Sequence, residues 1–285
     1  MQWERAKNYI LITFILLNLG LAGLLYMENR RYTLSPERER IIHQILGENN
    51  ISLYTHLIRR FPPMRPLLVS GFYYDVNELI EIFFENPDLV ERDYDRNVFI
   101  YGESELSISN GIVFFYKGIN QADTPSQMPS GAARVQASLL TREFINRHYP
   151  TFVHDITFES GGGIFMEYRE KYRGRLIYSN FIRFFVTHIG IEWIEMQFGN
   201  VIGHSPDPRM IFAADEALLT FMQRNRFLAV EGGMFINRID MVYYKEYVSF
   251  TSGTEYLAVP TYRIFIDGNN DIPFLINAFT NMMLD

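Results

Sequence analysis

Residues 165–187 read FMEYREKYRGRLIYSNFIRFFVT. Two runs rich in Tyr, Phe, Ile and Val flank Arg173-Gly174, a dipeptide suited to a tight turn. The stretch predicts antiparallel strands at 165–172 and 176–187, and a third run follows at 191–198. Upstream, Gly161-Gly162-Gly163 follows a strand-like run at 156–159 and no helix opens after it. It reads as a hairpin turn and not as a phosphate loop.

This block has an echo. Leu139-Leu140-Thr141 recurs as Leu218-Leu219-Thr220, Asn146-Arg147 as Asn225-Arg226, Glu167-Tyr168 as Glu246-Tyr247 and Gly174 as Gly253, all 79 residues apart. Residues 139–198 hold eight such identities in 60 positions, where composition alone gives about four. The matches fall on corresponding elements. A helix followed by long antiparallel strands is therefore expected twice, at about 137–200 and 215–285. The second set of strands is expected at 241–250, 255–266 and 272–279, with a turn at Asp267-Gly268-Asn269.

The first half reads as a separate α+β region, 35–120. Ser35-Pro36-Glu37 opens a helix with Ser35 as N-cap, and Ile41, Ile42, Ile45 and Leu46 form its apolar stripe up to Gly47. Strands are expected at 51–57 and 67–73. Asp75-Val76-Asn77-Glu78 matches a capping box before Leu79, Ile80, Phe83 and Phe84, and Asn86-Pro87 stops that helix. Short strands follow at 98–101, 105–109 and 112–117, with Ser109-Asn110-Gly111 as a hairpin turn. Residues 119–131, with Pro125, Pro129 and Gly131, read as the internal boundary before 132–285.

The N-terminus is of another kind. Residues 9–27 are 19 residues without a charge, and as a helix they span roughly 28 Å, near the thickness of a bilayer core. Arg5 and Lys7 lie in the short tail 1–8, which predicts a cytoplasmic N-terminus, although Arg30 and Arg31 in the link 28–34 oppose that charge asymmetry. Gly20-Leu21-Ala22 resembles a signal-peptide cleavage triplet, but Leu21, Leu24 and Leu25 continue the apolar run past it. The expectation is a single-pass anchor with the bulk of the chain extracytoplasmic. Asn18 sits mid-span, where a side-chain amide is costly without a partner. Leu11, Asn18, Ala22 and Leu25 share one face, and Thr13, Gly20, Ala22 and Gly23 add small or hydroxyl surface for a neighbouring helix. These residues are the candidate partner-helix contact, although single spans also tolerate one Asn unpartnered.

Composition narrows the rest. Outside residues 1–31 the chain keeps 22 basic and 31 acidic residues, a net of −9, a poor surface for nucleic acid or for lying flat on anionic lipid. Cysteine is absent, so there is no disulfide, no thiolate zinc site and no lipid attachment at cysteine. His43, His56, His148, His154, His188 and His204 form no metal-ligand pair on one helical turn; His148 and His154 flank the turn-forming Tyr149-Pro150 and read as solvated or satisfied. The acidic pairs Glu167/Glu170 and Glu192/Glu195 invite a glycosidase reading. Residues three apart on a strand point to opposite faces unless it bulges, so these acids read as solvated sheet edges. No enzyme, metal or cofactor is expected.

Trp3, Lys7, Phe14 and Asn18 in a short basic tail and single span resemble the start of the YycI (WalI) family. Ala258-Val259-Pro260-Thr261-Tyr262-Arg263 followed by Asp267-Gly268 resembles the C-terminal strands of YycI and its partner YycH. The resemblance implies a membrane-anchored regulator of the cell-wall two-component system, associating with the sensor histidine kinase (YycG or WalK) and a YycH-like protein. It also implies that the transmembrane helix is a major kinase contact. The other class the residues allow is an exported PepSY-like binding or inhibitor module for a peptidase or wall ligand.

Overall fold

In the computed structural model, the described residues are 2–72, 74–118, 130–225, 233–246, 255–268 and 272–284. The apolar run lies within a helix, α1 (Gln2–Arg31), whose stretch Lys7–Glu28 has a mean hydropathy of 2.2 and is long and apolar enough to cross a membrane. Helix α2 (Pro36–Glu48) opens as expected, with Ser35 Oγ accepting from the Arg38 N–H at 3.2 Å. It runs through Gly47, and Asn49 closes it. Strand β1 (Ile51–Leu53) is shorter than the 51–57 run, because the chain leaves the sheet once Tyr54 N–H donates to Ile236. Strand β2 (Leu67–Val69) is likewise short. Helix α3 (Val76–Phe83) is capped by Asp75, which accepts from Asn77 and Glu78. Strands β3 (Glu91–Asp93), β4 (Val98–Tyr101), β5 (Ser104–Ser109) and β6 (Ile112–Tyr116) form an antiparallel meander. Asn110 and Gly111 both take positive φ between β5 and β6, as a primed hairpin turn requires.

A helix and a four-stranded meander then occur twice. Helix α4 (Ser130–His148) precedes β7 (Phe152–Ser160), β8 (Gly163–Tyr172), β9 (Arg175–Thr187) and β10 (Gly190–Gln197). After β11 (Val201–His204), helix α5 (Ala214–Arg224) precedes β12 (Met234–Glu246), β13 (Tyr256–Ile266), β14 (Phe274–Asn277) and β15 (Met282–Leu284). The echoed Leu-Leu-Thr triplets fall on α4 and α5. The echoed Tyr247 and Gly253, and most of 119–131, lie outside the described residues. Arg173 and Gly174 take positive φ in the β8–β9 turn, as do Gly161 and Gly162 between β7 and β8.

All fifteen strands join one sheet, predominantly antiparallel, and the chain is α+β. The two meanders join through a single parallel pairing of β12 with the first part of β9, Tyr243 with Ile177. Two apolar clusters fill the molecule. One packs α3 and α4 on β4–β10, around Phe99, Leu106, Phe184 and Met196. The other packs α2 and α5 on β12–β14, around Leu46, Leu218, Phe221 and Tyr262.

Candidate functional site

Leu11, Thr13, Asn18, Gly20, Ala22, Gly23 and Leu25 all lie on α1, and none of the apolar span is buried against the rest of the molecule. At about 3.6 residues per turn, Leu11, Asn18, Ala22 and Leu25 form one stripe. Thr13 and Gly20 project from the opposite side and Gly23 lies between, so the set divides over two faces of the helix. Asn18 Nδ2 donates to the Phe14 carbonyl of its own helix at 2.8 Å. This local bond satisfies one amide hydrogen and leaves Oδ1 free to accept from a second helix.

The C-terminal end of α1 is joined firmly to the body of the molecule. Leu34 is buried in the second cluster, its N–H donates to Arg59 at 2.7 Å, and Phe61 N–H donates back to Tyr32 at 3.0 Å. Thr33 and Arg60 form the antiparallel bridge between these bonds. One turn into α2, Arg38 Nη2 lies 2.7 Å from Asp215 on α5, an ion pair that ties α2 to the C-terminal unit.

A second constellation, absent from the sequence-based expectations, lies where the helix-free faces of the two meanders meet. On β8, Ile164, Met166 and Tyr168 point into the α4 cluster, so Phe165, Glu167 and Arg169 face the other way. On β13, Tyr262 and Ile264 point toward α5, so Arg263 faces away. Four carboxylates and four guanidiniums alternate there. Glu195 and Glu167 both pair with Arg183, at 2.9 and 2.7 Å. Glu167 also accepts from Arg169, whose Nε donates to Asp155 of β7 at 3.0 Å. Asp155 accepts from Arg263 at 2.5 and 2.9 Å and from Arg238 of β12 at 2.8 Å. Asp240 ends the chain by accepting from both Arg238 and Arg263. The side chains of Asp155 and Arg263 are 0% exposed. Burial pushes the Asp155 carboxyl up, but the hydrogen bonds and charges of Arg263, Arg238 and Arg169 outweigh it and hold the group down at about 2. Arg263 is held above its ordinary value: burial opposes its charge, and Asp155 and Asp240 more than compensate.

This network corrects the reading of the acidic pairs. The strands do bulge, at Arg169/Glu170 and at Ile191/Trp193. Glu167 is buried and not a solvated edge. Glu167 and Glu195 converge, but on Arg183. Glu170 instead accepts from the fully buried Asn180 at 2.6 Å, and burial raises its carboxyl. Asn180 also bridges the Gly199 backbone and accepts from Tyr256 Oη at 3.1 Å. His148 packs on Phe144, and His154 bonds to Thr157 at 2.6 Å. Among the described residues, no group of three metal-ligating side chains comes together. A cleft of about 760 Å³ lies between α3 and α4, walled by Phe83, Phe115, Leu140, Phe144 and Ile194, with Glu85 the one carboxylate among the described residues that line it.

No protein family and no curated protein matches the chain. Solved structures resemble it at low identity. An uncharacterized protein from Eubacterium rectale ATCC 33656 is 10% identical over 82% of this chain and 89% of that one, with a TM-score of 0.49. YycH from Bacillus subtilis is 12% identical over 84% of this chain and 61% of that one, with a TM-score of 0.46. The C-terminal domain of Bacillus megaterium YpeB is 9% identical over 75% of this chain and 96% of that one, with a TM-score of 0.42.

Proposed function

We propose that this chain is a membrane-anchored accessory regulator of a cell-wall sensor histidine kinase, acting with a YycH-like partner. In this reading residues 1–8 are cytoplasmic, 9–27 span the membrane, 28–34 form the link, and the regions 35–120 and 132–285 stand outside. The observation that carries it is α1: an apolar helix with Asn18 at mid-span, unpacked against its own domain yet fixed to it at Tyr32–Leu34. A helix exposed on all sides has its packing surface available to another protein. The resemblance of Trp3, Lys7, Phe14 and Asn18 to the opening of YycI supports a sensor kinase as that protein. Regulation would follow from a difference in helix packing between two kinase states.

Replacing residues 9–27 by an unrelated span tests this. Association with the kinase is expected to be lost and transcription of its targets to change. A swapped helix that still co-purifies and leaves transcription unaltered removes the mechanism.

The second reading, an exported PepSY-like binding module, is favoured by one observation, the helix and four-stranded meander that occur twice. It requires residues 32–285 alone to bind a peptidase or wall ligand.

A further inference from the structure

The structure brings together two arginine pairs that lie far apart in sequence. Residues 30–34 read RRYTL and residues 59–65 read RRFPPMR, five arginines and no acid in the two segments. The Thr33–Arg60 bridge, with its flanking Leu34–Arg59 and Tyr32–Phe61 hydrogen bonds, lays one segment against the other. Paired backbones sit ~5 Å apart, so the exposed residues Arg30, Arg31, Arg59 and Arg60 are gathered around this one junction between α1 and the domain. Arg59 pairs with Glu39 at 2.9 Å. Arg30 lies over the Tyr26 ring and Arg31 over Tyr32. Among the described residues no carboxylate pairs with Arg30, Arg31 or Arg60. Like charges gathered this way repel unless anions sit among them.

The patch has a fixed depth. The apolar span ends at Glu28, and each helical residue adds ~1.5 Å, so Arg30 and Arg31 stand at the level of the headgroups. The strand-like pairing holds Arg59 and Arg60 at nearly the same height. We propose that this collar binds anionic phospholipid headgroups of the leaflet facing the exported domain, the guanidinium forks taking the phosphate oxygens. The proposal rests on the anchor reading above. It also gives Arg30 and Arg31 a role that the membrane-orientation rule leaves without one. The exported part is net acidic overall, which disfavours its resting on an anionic surface by other faces and favours the collar-down orientation.

The test is native mass spectrometry of the detergent-purified full chain offered phosphatidylglycerol or phosphatidylcholine. The wild type is expected to retain phosphatidylglycerol in preference. Arg31→Gln and Arg60→Gln should each cut that preference about fivefold, the loss of ~1 kcal/mol per basic residue at an anionic surface. Both sites are exposed, so unchanged thermal melting checks the fold. Equal retention of the two lipids, or a preference that both variants keep, overturns the proposal. So does displacement of the lipid by inorganic phosphate at matched concentration, which marks a free-anion site. Alkaline washing of membranes scores the anchor separately. A chain released by the wash removes both readings, whereas a retained chain without lipid preference removes only the collar.

Discussion

Arg263 is the side chain whose loss the fold should feel most. It is wholly buried and donates twice to Asp155 and twice to Asp240, so its loss strips four charge-assisted hydrogen bonds from a dry site and leaves Asp155 to Arg169 and Arg238. Arg263→Ala is expected to cost ~3–5 kcal/mol, read by denaturant unfolding in detergent micelles. Gly199→Ala should cost ~1–3 kcal/mol by the same measurement. The added Cβ would stand 2.1 Å from the Ser70 carbonyl oxygen, with the Asn180 bridge holding the backbone in place. In the proposed reading, Asn18→Leu leaves insertion intact and weakens association with the kinase by ~3- to 30-fold, the worth of one hydrogen bond between helices in lipid. Unchanged co-purification would place Asn18 among unpartnered span residues. These residues differed in how far the sequence announced them. An amide in an apolar run is visible at once. The Asp155–Arg263 pair joins positions 108 residues apart, and no local pattern could couple them. A partial signal existed in Glu167, Arg169 and Arg183, charges inside otherwise aromatic strands, which a uniformly solvated face does not need.

Elements whose ends are set by local chemistry were the legible ones. Ser35 and Asp75 cap α2 and α3 where short polar side chains precede apolar stripes, and Asn110-Gly111 turns the β5–β6 hairpin. Ser35→Ala and Asp75→Ala should each lower stability by ~1 kcal/mol, visible as a shift in the thermal midpoint. Strand length was less legible. The apolar runs 51–57 and 67–73 shorten to three residues each, because a strand lasts only as long as its neighbour offers a register, and β12 and β13 set that limit. Strand β12 starts at Met234, earlier than the 241–250 run suggested, since its first residues pair with β1.

At the scale of the whole molecule, stability should depend on acidity in two steps. His148, His154 and His204 are held below their ordinary value of 6.5, chiefly by burial. A lowered folded value means their contribution is complete above 6.5 and is lost as pH falls below it. Asp155 behaves alike lower down: its contribution is present above 3.8 and disappears as pH falls toward about 2. Thermal melting against pH should therefore decline in both windows, less steeply in the upper one, where the raised Glu170 carboxyl works in the opposite sense. Asp155→Asn should be less stable near neutrality and flatter in the lower one. A wild-type profile level through both contradicts these assignments. The antiparallel, sheet-rich α+β class was readable from aromatic strands and turn residues. The closure of the two meanders on a chain of charges was not, because it depends on which faces the helices leave bare. The join at Tyr32–Leu34 also has a mechanical effect. Helix α1 stays regular to Arg31 and the chain is pinned immediately after it, so few free backbone torsions separate the helix from the domain. The compass bearing of Asn18 is thereby tied to that of the domain surface. Any neighbour that grips the helix by one side thereby chooses which flank of the domain it meets outside, and a torque applied to either end is felt at the other.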